Sequence, residues 1–207
     1  MRESGVGRVL VASLHQAIAD ILPMRLAFYE SWLTPEGLRD GTIGLAPLYA
    51  VLSFLRQEGD AYGVVAGKAG EYAVEWTVAA MPPLRRRWIA RLPKSIRRRV
   101  LLRRASALVR MSFVGSTVSW RISRGTARVL VRDSVFCEVR GPVAQPLCVF
   151  YSSVFERMSL QFAQPASVSI SSCRAVGDAA CELRVAFGVG QTVSQPEDLQ
   201  LSQAEDA

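Results

Sequence analysis

The sequence predicts an α+β chain, with a helical N-terminal half and an antiparallel sheet of two hairpins packed against helices. Three observations predict it. Apolar residues recur at spacings of three and four through most of residues 6–111. Beyond Ser112 the period changes to that of strands. From there the order is hairpin, helix, hairpin, which places helices on one face of an antiparallel sheet. Half of the 207 residues are hydrophobic and 21% are charged, a balance that buries a core without disulfides.

The first helix is expected over Val6–Leu22, where His15, Gln16 and Asp20 interrupt an apolar stretch that has no cleavage site after it. It reads as a structural helix rather than a targeting signal. Pro23 breaks the pattern, and Met24–Leu33 continues it as a further helix. Thr34–Gly41 carries turn chemistry. Ala46–Gln57 is a second apolar helix, entered through Pro47 and ended near Gly59. Ala61–Met81 is a third, in which Gly63, Gly67 and Gly70 weaken the helix and allow another backbone to approach. Pro82-Pro83 marks a boundary and Pro93 a second break. The helix Ser95–Met111 follows, with Ser95 as its N-cap. Phe113–Ile122 and Ala127–Val131 form a hairpin about Ser123-Arg-Gly. A helix over Leu147–Phe162 leads to the hairpin Ser167–Ala175 and Cys181–Phe187, which turns at Gly177-Asp178. The chain thus divides into a helical region 1–83, a domain 84–187 led by an arginine-rich helix, and an acidic tail 188–207 without periodicity, expected to be disordered.

The net charge of +7 comes from one segment. Residues 84–111 hold 11 basic side chains and no acidic one, whereas the tail holds 4 acids and no base. On a solvated face such a run stabilises. It also suits an acidic protein partner, a phosphate-bearing ligand or an anionic membrane surface. Nucleic acid is disfavoured because no helix-turn-helix or stacking platform accompanies the charge. The arginines between 85 and 110 are expected at the surface, with anion binding that weakens with salt.

Several enzyme classes are excluded. His15 is the single histidine, which removes histidine-based metal sites and catalytic dyads. There is no Gly-x-Ser-x-Gly elbow, no phosphate loop around Gly63–Gly70 and no dinucleotide fingerprint. Asp178 in its turn serves backbone conformation. No catalytic residue is assigned. Four cysteines, Cys137, Cys148, Cys173 and Cys181, are too few for a secreted disulfide scaffold and point to a reducing, cytoplasmic setting. Their spacing is not that of a zinc finger. Read from the residues alone, they fill core positions or share a metal or redox site.

Pro146-Leu-Cys-Val-Phe-Tyr, the helix through Phe155-Glu156-Arg157, and Cys173-Arg-Ala-Val-Gly-Asp-Ala-Ala-Cys181 together resemble the 4-vinyl-reductase domain. That domain occurs in bacteriochlorophyll-biosynthesis proteins and in the sensor region of phenol- and xylene-responsive activators. Its fold is related to a subunit family of vesicle-tethering complexes. The resemblance covers roughly residues 95–187, and the arginine-rich helix with Phe136-Cys137 looks closer to the bacteriochlorophyll members. It implies a zinc site at Cys148, Cys173 and Cys181 with a glutamate three residues before Cys173. Ile170 stands there instead, so Cys137 is the candidate fourth ligand. Zinc is the implied cofactor, and nothing in the sequence favours an iron–sulfur cluster.

The resemblance also implies space between sheet and helices for a small apolar or planar ligand, with Phe113, Trp120, Phe150, Tyr151 and Phe155 as candidate lining. The functional expectation is a small-molecule-binding module acting as carrier, sensor or accessory subunit. The alternatives are a tetrapyrrole biosynthesis enzyme or accessory protein, related to a vinyl reductase, and a protein adaptor without ligand. A homodimer is expected.

Overall fold

The computed structural model describes residues 6–139, 141 and 143–188. Among them are eight α-helices and a four-stranded antiparallel sheet. The helical half comprises α1 (Arg8–Ile21), α2 (Leu26–Glu30), α3 (Pro35–Asp40), α4 (Leu45–Gln57), α5 (Ala61–Ala79), α6 (Pro83–Arg91) and α7 (Lys94–Ser112). The sheet half comprises β1 (Thr117–Ser123), β2 (Thr126–Arg132), α8 (Val149–Leu160), β3 (Ala166–Ser172) and β4 (Cys181–Phe187). No single helix among the described residues is long and apolar enough to cross a membrane. The acidic tail expected from 188 lies, from 189 onward, outside the described residues.

Strand order is β1-β2-β4-β3, every neighbour antiparallel. The first hairpin closes through Arg124 and Gly125, both at positive φ (48° and 82°). That pair of left-handed residues matches the twist of the strands it joins. The chain then crosses by α8, and β4 returns to lie between β2 and β3. Ala127, Val129 and Val131 of β2 and Cys181, Leu183 and Val185 of β4 are buried on the face that meets the helices. Arg121, Arg128 and Arg184 lie across from one another on the outer face.

Helix α5 is the spine, packed between α1 and α8. A Cβ on Gly70 would lie 2.6 Å from the Phe150 carbonyl oxygen and 2.9 Å from Ser153 Cβ. Gly70 therefore sets the close approach of α5 to α8. Gly67 also faces α8, with Ser153 Oγ 3.3 Å from its would-be Cβ, whereas Gly63 meets nothing. The buried core runs continuously from Leu10 and Leu14 of α1 through α5 and α8 to the sheet.

Three local expectations need correction. Thr34–Gly41 is not a turn alone but contains α3. Thr34 Oγ1 accepts from the Gly37 amide at 3.1 Å, Pro35 opens the helix, and Gly41 ends it at φ 72°. Met24–Leu33 is not one helix: Pro23–Arg25 forms a 3-10 turn and only Leu26–Glu30 is α-helical. Ser95 does not cap α7, which begins one residue earlier behind the extended Pro93. Its first amides lie at the exposed surface, where water satisfies them. Between the two proline breaks the chain forms α6.

Candidate metal centre

Each cysteine reaches the same place from a different element. Cys137 ends a 3-10 turn, Val135–Cys137, that follows β2. Cys148 is the residue on which α8 begins. Cys173 follows β3 just after a register shift between Ile170 and Ser172. Cys181 opens β4 on its buried face, opposite Val131. Between the last two, a 3-10 turn and Gly177 at φ 106° reverse the chain. Asp178 holds that reversal, accepting the Cys173 amide on Oδ2 at 2.8 Å. This is the backbone role expected of it.

The four sulfurs lie within 4.8 Å of one another and all four residues are buried. Cys137 Sγ is 3.5 Å from Cys173 Sγ and 3.4 Å from Cys181 Sγ, and the last two are 4.0 Å apart. Sulfurs at the corners of a tetrahedron, each about 2.3 Å from a central zinc, are roughly 3.8 Å apart. The donor set is therefore of the right chemistry and spacing for a closed, structural zinc site. Ile170 pairs with Leu183 within the sheet and offers no ligand.

As thiols the four share their protons unequally. Hydrogen bonds with Cys137, Cys173 and Cys181, together with burial, push Cys148 up. Hydrogen bonds with Cys137 and Cys148 hold Cys173 and Cys181 down.

The helical half supports the site from outside, through two residues that carry no signal of that role in the sequence. Arg56, in the last turn of α4, donates to the Phe136 carbonyl at 3.1 Å. Tyr62 of α5 donates to the Leu147 carbonyl at 2.8 Å. These carbonyls immediately precede Cys137 and Cys148. Burial raises the Tyr62 hydroxyl well above its ordinary value, so it stays a neutral donor. Groups that orient metal ligands typically change affinity by about 10–100-fold when lost. Tyr62→Phe is accordingly expected to weaken metal binding at the four cysteines by about that factor with the fold intact, measured by competition with a chromophoric chelator.

The candidate ligand residues do not form one lining. Phe150, Tyr151 and Phe155 are fully buried. Phe150 stacks on Phe136 with ring centroids 4.8 Å apart, and Tyr151 meets Phe136 edge-on at 5.5 Å. They belong to the packing beside the cysteines. Phe113 is half-buried, its ring folded over Gly115. Trp120 borders open space. With Ile122 it lines a groove of about 440 Å³ against Ile96, Arg99, Val100 and Arg103 of α7. It also borders a second space of about 370 Å³ with Ser119, Arg121, Arg128 and Leu130. His15 is half-buried and bonded to Glu30 at 3.0 Å, away from any cluster of ligating groups.

The fold and these sulfurs define an α+β protein with a buried four-cysteine centre. No protein-family model matches the chain. No curated protein matches it either. Among solved structures it is similar to the phenol-responsive sensory domain of the transcription activator PoxR with phenol. The TM-score is 0.44 at 16% identity, over 68% of this chain and 73% of that one. Neither the expected closeness to bacteriochlorophyll-biosynthesis proteins nor the homodimer finds support in these comparisons.

Proposed function

We propose that this chain is a small-molecule-binding module, working as sensor, carrier or accessory subunit, whose C-terminal half is organised by a zinc ion. The observation that carries the reading is the convergence of four buried sulfurs from four separate elements. Cys137, Cys148, Cys173 and Cys181 hold the ion. It joins the start of α8, the end of the first hairpin and both ends of the β3–β4 turn. Four thiolates leave no open position, so the metal's role is structural and not catalytic. No other cluster of metal-ligating side chains is found among the described residues.

The ligand space is the groove beside Trp120. Trp120 supplies an aromatic ring, Ile96, Val100 and Ile122 supply apolar walls, and Arg99 and Arg103 supply positive charge. A planar ligand bearing an acidic group fits that chemistry. Native mass spectrometry of the purified chain tests both halves. Expected are one zinc per chain and a small-molecule adduct that Trp120→Ala removes while the zinc remains. A chain without zinc, or an adduct indifferent to Trp120→Ala, would count against the corresponding half.

A further inference from the structure

We propose that α6 is a membrane-surface anchor, docking the protein on a bilayer of acidic phospholipids by inserting Leu84 and Trp88 among the lipid headgroups. Helix α6 spans Pro83–Arg91 and buries only one of its side chains, Ile89. Leu84 and Trp88 are 79% and 59% exposed. They are four residues apart, one turn of helix, and so project together. Ile89 is one position beyond Trp88, about 100° further round the axis. The side that fastens α6 to the protein is therefore distinct from the side that carries its apolar pair. The fastening is firm at the C-terminal end: Arg97 of α7 donates to the Ala90 carbonyl at 2.8 Å and to the Phe162 carbonyl at 3.4 Å. The apolar pair is displayed on a fixed base.

The surroundings specify the occupant. Arg85, Arg86, Arg87, Arg91 and Lys94 are all exposed, and residues 84–111 contain no carboxylate to neutralise them. A large aromatic and a leucine projecting from a cationic surface match the boundary of an anionic bilayer, where an indole lies at headgroup level and guanidiniums meet phosphates. A nucleic acid would engage the arginines and leave Leu84 in water. Pro83, Arg86, Arg87 and Ala90 of α6 line a groove of about 370 Å³ with Val78, Gln161 and Phe162, and neither Leu84 nor Trp88 lines it, so the apolar pair projects from the other side of the helix. Each cation near such a surface contributes about a fivefold gain in affinity.

The test is flotation of the full-length chain with phosphatidylcholine vesicles made with and without phosphatidylserine. Expected is flotation with the acidic vesicles only, weakened by salt, with tryptophan fluorescence quenched by brominated acyl chains. Trp88→Phe should remove most of that quenching. Leu84→Ser combined with Trp88→Ser should lower flotation about tenfold or more, because binding scales with the apolar area inserted. The combined Arg85→Gln, Arg87→Gln and Arg91→Gln variant should lower it on the order of a hundredfold. All five side chains are exposed, so circular dichroism and the thermal midpoint should not move. Three results would overturn the proposal. One is absence of flotation with acidic vesicles. Another is flotation unaffected by the Leu84/Trp88 pair and fully displaced by single-stranded DNA or polyglutamate, which reduces the site to a polyanion patch. The third is a dimer in solution that the same pair of substitutions dissociates, which assigns the face to a second copy of the chain.

Discussion

Replacing Cys137 with Ser is expected to abolish zinc retention and to destabilise the chain by more than about 4 kcal/mol. The same holds for Cys148, Cys173 and Cys181. The reason is that metal binding energy is folding energy: a site built from four distant segments does not exist in the unfolded chain. Loss of one thiolate leaves three partly desolvated sulfurs with no ion to balance them, in a pocket closed to water. Two further consequences separate this from simple core truncation. A double substitution such as Cys137→Ser with Cys181→Ser should be little worse than either alone, because the first already expels the metal. Zinc affinity should also fall as the pH is lowered, since protons compete with the metal for the sulfurs. Urea unfolding with zinc quantified on the same samples checks all three. Buried cysteines without a metal would instead lose about 1 kcal/mol each, with no dependence on zinc.

Gly70→Val is expected to cost about 3 kcal/mol, the upper end of what overpacking usually does. The first atoms that a side chain at Gly70 meets include the Phe150 carbonyl at 2.6 Å and the Val154 amide nitrogen at 3.3 Å. Both are backbone of α8 and cannot swing aside, so α5 and α8 must separate. Cys148 stands at the start of α8, and the displacement should therefore reach the sulfur cluster and weaken zinc retention as well. Gly63→Ala is the control on the same helix. No atom lies within 4 Å of its would-be Cβ, and the better helix propensity should stabilise the chain by about 0.5–1 kcal/mol. Thermal and urea unfolding of the two variants measure opposite signs if Gly70 is indeed the contact point.

What the sequence reveals and what it hides follow from the range of the interactions involved. The change of period at Ser112 and the turn at Ser123-Arg-Gly are local, and the first hairpin forms about that turn, although β1 begins at Thr117 rather than Phe113 and β3 ends at Ser172 rather than Ala175. Cys181–Phe187 is a strand over the same residues as expected. The helix α3 was equally local: Thr34 as cap, Pro35 in the first turn, Glu36 near the positive helix end and Gly41 as terminator are all in the sequence. A cluster of turn-forming residues outweighed those signals, although it marks the two ends of a short helix as well as a loop. Arg97 explains part of α6, since its hydrogen bond to Ala90 is made by the neighbouring helix.

The candidate site divides in the same way. Three cysteines follow a recognisable pattern, and the loss of a ligand at Ile170 directs attention to Cys137. That Cys137 Sγ lies 3.4 Å from Cys181 Sγ depends on β2 and β4 being adjacent, a fact of topology with no local signature. Arg56 and Tyr62 act across 80 and 85 residues of chain. An arginine near a helix end and a tyrosine near a helix start are ordinary there, and only the tertiary fold gives them carbonyls to hold. The aromatic residues were misleading because size and apolarity describe a core side chain as well as a pocket wall. Phe150 and Tyr151 are closed in by Phe136, and Trp120 differs only in lying on an edge strand.

Whether one zinc ion joins the four cysteines is read directly by X-ray absorption at the zinc edge. Expected is a zinc-containing chain whose first coordination shell is four sulfurs at about 2.3 Å, with no nitrogen or oxygen. A chain purified without zinc, or a shell in which a nitrogen or oxygen replaces one of the sulfurs, would contradict it.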